Sequence, residues 1–477
     1  MTSSDQTPPS LYAKREPIFP RRVKGNFRTL KWWLVGIMLG IYYVLPWIRW
    51  DRGPEMPGQA VLLDLANRRF FFFMIEIWPH EFYFVAGLLI MAGIGLFLFT
   101  SALGRVWCGY ACPQTVWTDL FILVERWVEG DRNARLRLHR QPVNFEKIRK
   151  YGLKWTIWFL IGMATGGAWV FYFADAPTLF VDLFTGQAHP IAYITVLILT
   201  MTTFLFGGFF REQVCIYACP WPRIQAAMMD EDTLTIDYRH WRGEPRGKLH
   251  KGGDVTVRQG DCIDCMACVN VCPMGIDIRN GQQMECITCG LCIDACDEVM
   301  DKIGKPRGLI AYMALSDQVA EQAGNAPKSV WKHVLRPRTI LYTSIWSVIG
   351  IGLIVLLFLR SDLDMSVAPV RNPTHVVLSD GSVRNIYDVR LRNMHHDTRD
   401  FVLSVTENPD LVLSIEGYPG RLVTVAPDEQ LLLRVYLTAA PGTSSASLER
   451  SELRLWATLD GEASRVYSDT VFNGRGQ

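Results

Sequence analysis

Cys262-Ile263-Asp264-Cys265-Met266-Ala267-Cys268-Val269-Asn270-Val271-Cys272-Pro273, followed by Cys286-Ile287-Thr288-Cys289-Gly290-Leu291-Cys292-Ile293-Asp294-Ala295-Cys296, decides how this chain folds. Both runs are Cys-x2-Cys-x2-Cys-x3-Cys, the spacing of bacterial ferredoxins. Three thiolates spaced by two residues in a tight loop can reach three corners of one cube. The fourth must come from elsewhere, and where two runs occur together the last cysteine of each serves the other cluster. The expected assignment is one [4Fe-4S] cluster on Cys262, Cys265, Cys268 and Cys296, and a second on Cys286, Cys289, Cys292 and Cys272. Structural zinc also uses Cys-x2-Cys pairs, but it needs four ligands and does not ask for two triplets each followed by x3-Cys. Asp297 stands where the first run has Pro273, which weakens the second turn without removing a ligand.

Outward from this core, the chain is long enough, at 477 residues, for several domains, and it is rich in apolar and aromatic residues. Its net charge of +2 says little, because the charges are segregated. The first 29 residues are polar and basic, without the short apolar core of a secretory signal peptide. Eight of the 12 cysteines lie in the ferredoxin runs and four in two further pairs, leaving none for structural disulfides, as in a reducing compartment.

Five stretches are apolar enough to cross a bilayer, near 30–49, 83–103, 155–173, 190–210 and 340–359. Basic residues set their orientation. The N-terminal tail carries Lys14, Arg15, Arg21, Arg22, Lys24 and Arg28, and within segment 104–154 nine more lie between Arg105 and Lys150 inclusive. The segment between the third and fourth spans has Asp175 and Asp182 and no basic residue. The N-terminal tail (1–29), the 104–154 loop and the ferredoxin (261–312) are therefore expected in the cytoplasm, and the C-terminus in the periplasm.

The chain repeats itself. Cys108-Gly109-Tyr110-Ala111-Cys112-Pro113 follows the second span and Cys215-Ile216-Tyr217-Ala218-Cys219-Pro220 the fourth, so 30–227 reads as two hairpin repeats. Both copies have one orientation, which implies an axis along the membrane normal and four cysteines gathered at the cytoplasmic surface. Pro113 and Pro220 suit the first turns of amphipathic surface helices and hold the preceding cysteines extended. Segments 228–260 and 313–339 read as linkers, the latter leading into a fifth helix at 340–360.

From 363 to 477 the pattern alternates: Tyr387, Val389 and Leu391; Leu431, Leu433, Val435 and Leu437; Leu453, Leu455, Ala457 and Leu459. With Asp380-Gly381 and Asp460-Gly461 as turns, six or seven strands imply an immunoglobulin-like β-sandwich. The fold class is thus a membrane protein: an α-helical bundle of five transmembrane helices, a cytoplasmic 2[4Fe-4S] ferredoxin and a periplasmic sandwich.

Cys108, Cys112, Cys215 and Cys219 are soft donors beside a one-electron carrier. Thiolates select Cu(I) and favour reduction of Cu(II). A redox-active dithiol, another metal or a structural role remain as alternatives. His80 and His189, at matching outer ends of the second and fourth spans, read as solvated or capping residues before metal ligands. Met394-His395-His396 reads as an exposed turn, and Phe70 to Phe73 as interfacial packing.

The span order, WCGYACPQTVW, VCIYACPWPRIQ, CIDCMACVNVCPMGIDIRNGQQMECITCGLCIDACD and the outer sandwich resemble the FixG/RdxA/CcoG family of cytochrome c oxidase accessory proteins. The resemblance implies a multi-pass protein of the bacterial inner membrane that reduces Cu(II) to Cu(I) during maturation of a cbb3-type cytochrome c oxidase. Its implied partners are a copper-exporting P-type ATPase and oxidase subunits. Carried over by position, the eight ferredoxin cysteines hold clusters and Cys108, Cys112, Cys215 and Cys219 are the paired-motif residues. Two rival readings are a quinol-linked relay, similar to membrane ferredoxins that serve nitrate and nitrous oxide reductases, and a non-catalytic assembly scaffold. The sequence names no electron donor, implies no nucleic acid, and is compatible with a homodimer through the spans.

Overall fold

The computed structural model describes residues 17–53, 56–248, 259–360, 363–394, 397–406, 409–427, 429–461 and 464–476. Two compact units emerge: Met1–Trp50 with Gln59–Leu353, and Asp51–Gly58 with Ile354–Gln477.

In the first unit, helices occupy all five apolar stretches: Asn26–Val44, Tyr83–Leu103, Phe145–Val170, Pro190–Phe204 and Pro337–Leu359. Four helical segments are long and apolar enough to cross a bilayer: Asn26–Trp47, Tyr83–Leu103, Pro190–Phe209 and Pro337–Leu359. Phe145–Val170, which contains most of the expected third span, is not among them; Lys147, Arg149, Lys150 and Lys154 charge its first turns. Little of these apolar surfaces is covered by protein, and none of the most apolar stretch of Pro337–Leu359 is buried. That is compatible with a lipid surround.

Phe145–Val170 and Pro190–Phe204 form a hairpin whose backbones nearly touch. A Cβ on Gly162 would lie 3.0 Å from the Thr200 carbonyl oxygen, and one on Gly166 2.7 Å from that of Val196. A small residue every fourth position permits this approach. At the opposite end of the spans from the cysteine motifs, Val61–Asp64, Arg69–Phe72 and Ile75–Ile77 form an antiparallel meander. Phe70 to Phe72 of the phenylalanine run thus lie in a strand, with Phe71 buried, and Phe73 turns out of it at φ +52°. A uniform apolar run carries no period from which a strand could be read.

Pro113 starts the helix Pro113–Glu129, and Pro220 caps Trp221–Met228. Cys112 and Cys219 are extended, as a following proline requires. Both peptide N–H groups reach back five residues, Cys112 to the Trp107 carbonyl at 2.9 Å and Cys219 to that of Val214 at 2.7 Å. A buried charge network holds the first of these helices in place. Glu125 pairs with Arg135 at 2.6 Å and with Arg211, while Glu129 pairs with Lys154 at 2.6 Å. Arg211 and Arg135 hold the Glu125 carboxyl below its usual range against the opposing effect of burial.

Within 228–260, expected as a linker, Thr235–Tyr238 is a fully buried strand. It pairs antiparallel with Ile310–Met313, so the two segments flanking the ferredoxin runs close on each other.

The second unit is a sandwich of two antiparallel sheets. One orders Leu411–Ile415, Gln430–Ala439, Val383–Asn393 and Leu363–Pro369, with Val376–Val377 also on Val383–Asn393; the other orders Leu422–Val425, Arg399–Val405, Arg450–Leu459 and Arg465–Asn473. The alternating residues face inward as expected: Tyr387, Val389, Leu391, Leu433, Val435, Leu437, Leu453, Leu455, Ala457 and Leu459 are all buried in one core. Gly381 takes φ +84° at the first expected turn.

Candidate metal centre

The two cysteine runs adopt one local conformation twice. Asp264 and Met266 have φ of +53° and +59°, and their equivalents Thr288 and Gly290 have +50° and +76°. Gly290 takes the left-handed region freely and Asp264 tolerates it; for Met266 and Thr288 it costs about 1–2 kcal/mol each. In the first run Arg279 braces the loop. Its guanidinium donates to the Asp264 and Asp277 carboxylates and to Met266 Sδ.

Short helices follow, Ala267–Val271 and Leu291–Ile303, and carry the last cysteines across. Cys296 lies within electrostatic reach of Cys268, Cys265 and Cys262. Cys272 is coupled to Cys289, and Cys292 to Cys289, Cys286 and Cys272 before Cys268. Cys262, Cys268 and Cys296 lie in one apolar cluster and Cys272 and Cys289 in another, with Cys292 bordering both, so each expected quartet would draw on both runs. A small cavity of about 20 Å³ is lined by Cys268, Cys272, Cys286, Cys289 and Cys292, with Ile236, Ile276, Ile287 and Leu291 among its apolar walls.

Burial pushes the Cys272 thiol up to about 11 and those of Cys268 and Cys286 up to about 12. A thiolate in such surroundings is costly unless a cation compensates it, and metal binding supplies that compensation while releasing the protons. Among the described residues, no three His, Cys, Asp or Glu side chains converge on a point that would hold a single ion. In a cubane each thiolate binds a different iron, so its ligands need not converge, whereas tetrahedral zinc requires it. The donor set therefore fits [4Fe-4S] clusters better than zinc. The Thr288 amide lies 3.4 Å from Cys286 Sγ, an N–H···S contact of the kind that tunes cluster potential.

The first Cys-x3-Cys-Pro motif grips the second quartet. Arg105 donates to the Met284 carbonyl, and Tyr110 Oη donates to the Cys289 carbonyl at 3.0 Å. Gly109 lies so close that a Cβ there would be 2.5 Å from the Ile287 carbonyl oxygen. Tyr312 closes the loop by donating to the Thr288 carbonyl. Cys108, Cys215 and Ile216 pack against the apolar core that contains Ile287, Cys289 and Leu291.

The four motif cysteines are neighbours, although no three of them converge on a single-ion site among the described residues. Cys108 is coupled to Cys112 and Cys219, and Cys215 to all three. Burial pushes the Cys215 thiol up to about 12 and raises Cys108 and Cys112 as well. Cys108 Sγ lies 3.1 Å from Gln225 Oε1, a buried side chain that donates in turn to Thr100 Oγ1. The two copies differ in use: Tyr110 is 5% exposed, whereas Tyr217 is 54% exposed. Sequence reasoning missed the clasp of Arg105, Gly109, Tyr110 and Tyr312. The available signal was the divergence of the repeats, which have Glu212 and Ile216 where the docking copy has Arg105 and Gly109.

His189 caps the helix Pro190–Phe204, its Nδ1 accepting from the Ile191 amide. The His80 side chain, His395 and His396 lie outside the described residues.

A 4Fe-4S dicluster domain model matches residues 210–315, a 4Fe-4S binding domain model matches 84–130, and a model of the IG-like fold at the C-terminal of FixG matches 353–475. The chain is 70% identical to Protein RdxB of Cereibacter sphaeroides over 476 residues, covering 100% of both chains. It is 63% identical to Protein RdxA of the same organism, covering 93% of this chain and 94% of that one. With Nitrogen fixation protein FixG of Rhizobium meliloti it shares 54% identity, covering 91% of this chain and 88% of that one.

Proposed function

The chain belongs to the FixG/RdxA family, and from that premise we propose that this iron–sulfur electron-transfer protein reduces Cu(II) to Cu(I) for assembly of a cbb3-type cytochrome c oxidase. In this reading Cys262, Cys265, Cys268 and Cys296 hold one cluster and Cys286, Cys289, Cys292 and Cys272 the other. Bound clusters supply electrons singly, which matches the one electron Cu(II) takes. Cys265 is exposed and offers an edge at which a donor can dock. Cys108, Cys112, Cys215 and Cys219 receive the substrate ion two thiolates at a time, as two-coordinate Cu(I) allows without a converged four-ligand site, and thiolates stabilise the reduced product. The supporting observation is the packing of Cys108 and Cys215 on the core around Cys289. In this reading the ferredoxin lies in the cytoplasm and the C-terminal domain in the periplasm, which the basic N-terminal tail and 104–154 segment support. Cu(I) then passes to a copper-exporting P-type ATPase or to the oxidase subunits.

Serine at Cys108, Cys112, Cys215 and Cys219 together is expected to bring Cu(II) reduction to background while the ferredoxin clusters keep their electron paramagnetic resonance (EPR) signals. An unchanged rate with a Cu(I) chelator as readout sinks the reading.

A second reading is favoured by the 4Fe-4S model that matches 84–130, across Cys108 and Cys112. In it the four motif thiols hold a further cluster. Iron analysis separates the two: about eight irons per chain for two clusters, about twelve for three.

A further inference from the structure

Where the first helix enters from the N-terminal segment, an open cleft of about 740 Å³ is lined by Arg22, Lys24, Arg28, Trp32, Arg126 and Trp127, among others. It lies between the start of Asn26–Val44 and the helix Pro113–Glu129. We propose that this cleft binds the phosphate group of an anionic phospholipid.

Cations outnumber acids here. Arg28 and Lys31 share one carboxylate, Asp119, at 3.4 and 3.0 Å, and all three side chains are buried. The other acids nearby are committed or peripheral. Asp294 accepts from the Phe27 and Arg28 amides and so caps the helix, Asp131 accepts from the Arg22 amide, and Glu298 pairs with Lys302. Arg126 gives one nitrogen to the Pro20 and Arg21 carbonyls.

Two guanidinium nitrogens lack a hydrogen-bond acceptor, one of them on Arg28, whose guanidinium rests on the Trp32 ring 4.2 Å from its centroid. Arg28 Nη2 and Arg126 Nε are buried and have no hydrogen-bond partner among the described residues, and Arg28 as a whole is only 6% exposed. A buried guanidinium nitrogen without an acceptor carries an uncompensated desolvation cost, so the site is incomplete by itself. Burial, and then the neighbouring Arg28, push Arg126 down to about 10, a repulsion that a phosphate between the two would relieve.

A phosphate also matches the geometry of guanidinium donors. The lipid source is favoured over the free anion by the surroundings. Trp127 and Leu123 are 76% and 43% exposed beside the cations, and the cleft stands at the polar end of a helix apolar enough to cross a bilayer. Tryptophan and basic side chains at that level are the usual neighbours of headgroups.

The test uses the full chain in neutral detergent, with native mass spectrometry reading retention of phosphatidylglycerol against phosphatidylcholine. The wild type should retain phosphatidylglycerol preferentially. Lys24→Gln, at an exposed position that leaves the fold undisturbed, and Arg126→Gln should each lower that retention roughly fivefold, and Arg126→Lys should restore part of it. Equal retention of the two lipids by the wild type overturns the proposal, as does unchanged phosphatidylglycerol retention in both glutamine variants. Thermal protection by millimolar inorganic phosphate, with none from phosphatidylglycerol, also overturns it by assigning the cleft to a free anion.

Discussion

Gly109→Ala should slow the Cu(II)-driven reoxidation of the reduced protein and lower its melting temperature, although no cysteine is touched. The added methyl would sit 2.5 Å from the Ile287 carbonyl oxygen and 3.1 Å from Cys289 Cα. Both are backbone atoms of the loop that presents the second quartet, so no rotamer change relieves the clash. Either that loop or the Val106–Tyr110 turn must move, and overpacking of this kind costs about 1–3 kcal/mol. The EPR spectrum should change for the quartet containing Cys289 and stay constant for the one containing Cys265. Gly152→Ala is the control, since a Cβ at that helical position meets nothing within 4 Å. Tyr110→Phe should fall between the two: it removes one hydrogen bond to the Cys289 carbonyl, worth about 1 kcal/mol, and adds no bulk. A Gly109→Ala protein with wild-type melting and wild-type kinetics would show that the contact does not couple the membrane motif to the ferredoxin.

Much of this architecture is legible in the sequence wherever a spacing states a geometry directly. The Cys-x2-Cys-x2-Cys-x3-Cys runs are one such place, and the structure brings Cys296 to the first triplet and Cys272 to the second. The Cys-Pro steps are another, because proline restricts its predecessor, and Cys112 and Cys219 are both extended. Alternation over Tyr387–Leu391 and Leu453–Leu459 likewise names the sandwich core.

Other features were illegible for physical reasons. Thr235–Tyr238 is too short and too polar to announce a strand; it becomes one because Ile310–Met313 returns beside it, a contact 75 residues away in the chain. The left-handed conformation at Met266 contradicts the residue's own preference and is upheld by Arg279, which a local pattern cannot see. Phe145–Val170 illustrates the limit of hydropathy: the helix is continuous, but its charged first turns place Lys154 against Glu129. The clasp on the second quartet depends on one glycine whose partner lies 178 residues further on, at Ile287. Nothing local distinguishes it from a glycine of convenience.

The crossing of the last cysteines makes the sharpest prediction, since it decides which variants must resemble one another. If Cys272 belongs with Cys286, Cys289 and Cys292, then Cys272→Ala should give the EPR spectrum of Cys289→Ala rather than that of Cys265→Ala. Each of the three should lower iron from about eight to about four atoms per chain, counting the ferredoxin clusters alone. The remaining cluster then reports which quartet was lost. Function separates the two as well, because Cys108 and Cys215 pack on the core around Cys289, whereas the other quartet has its exposed edge at Cys265. With a small chemical reductant that needs no docking surface, Cys296→Ala should therefore retain most Cu(II) reduction, and Cys272→Ala should lose it. A Cys272→Ala protein that matches Cys265→Ala in spectrum and keeps its copper activity would mean that each run closes on itself. In that case the coupling of Cys296 to Cys262, Cys265 and Cys268 would reflect proximity within a small domain and not shared iron.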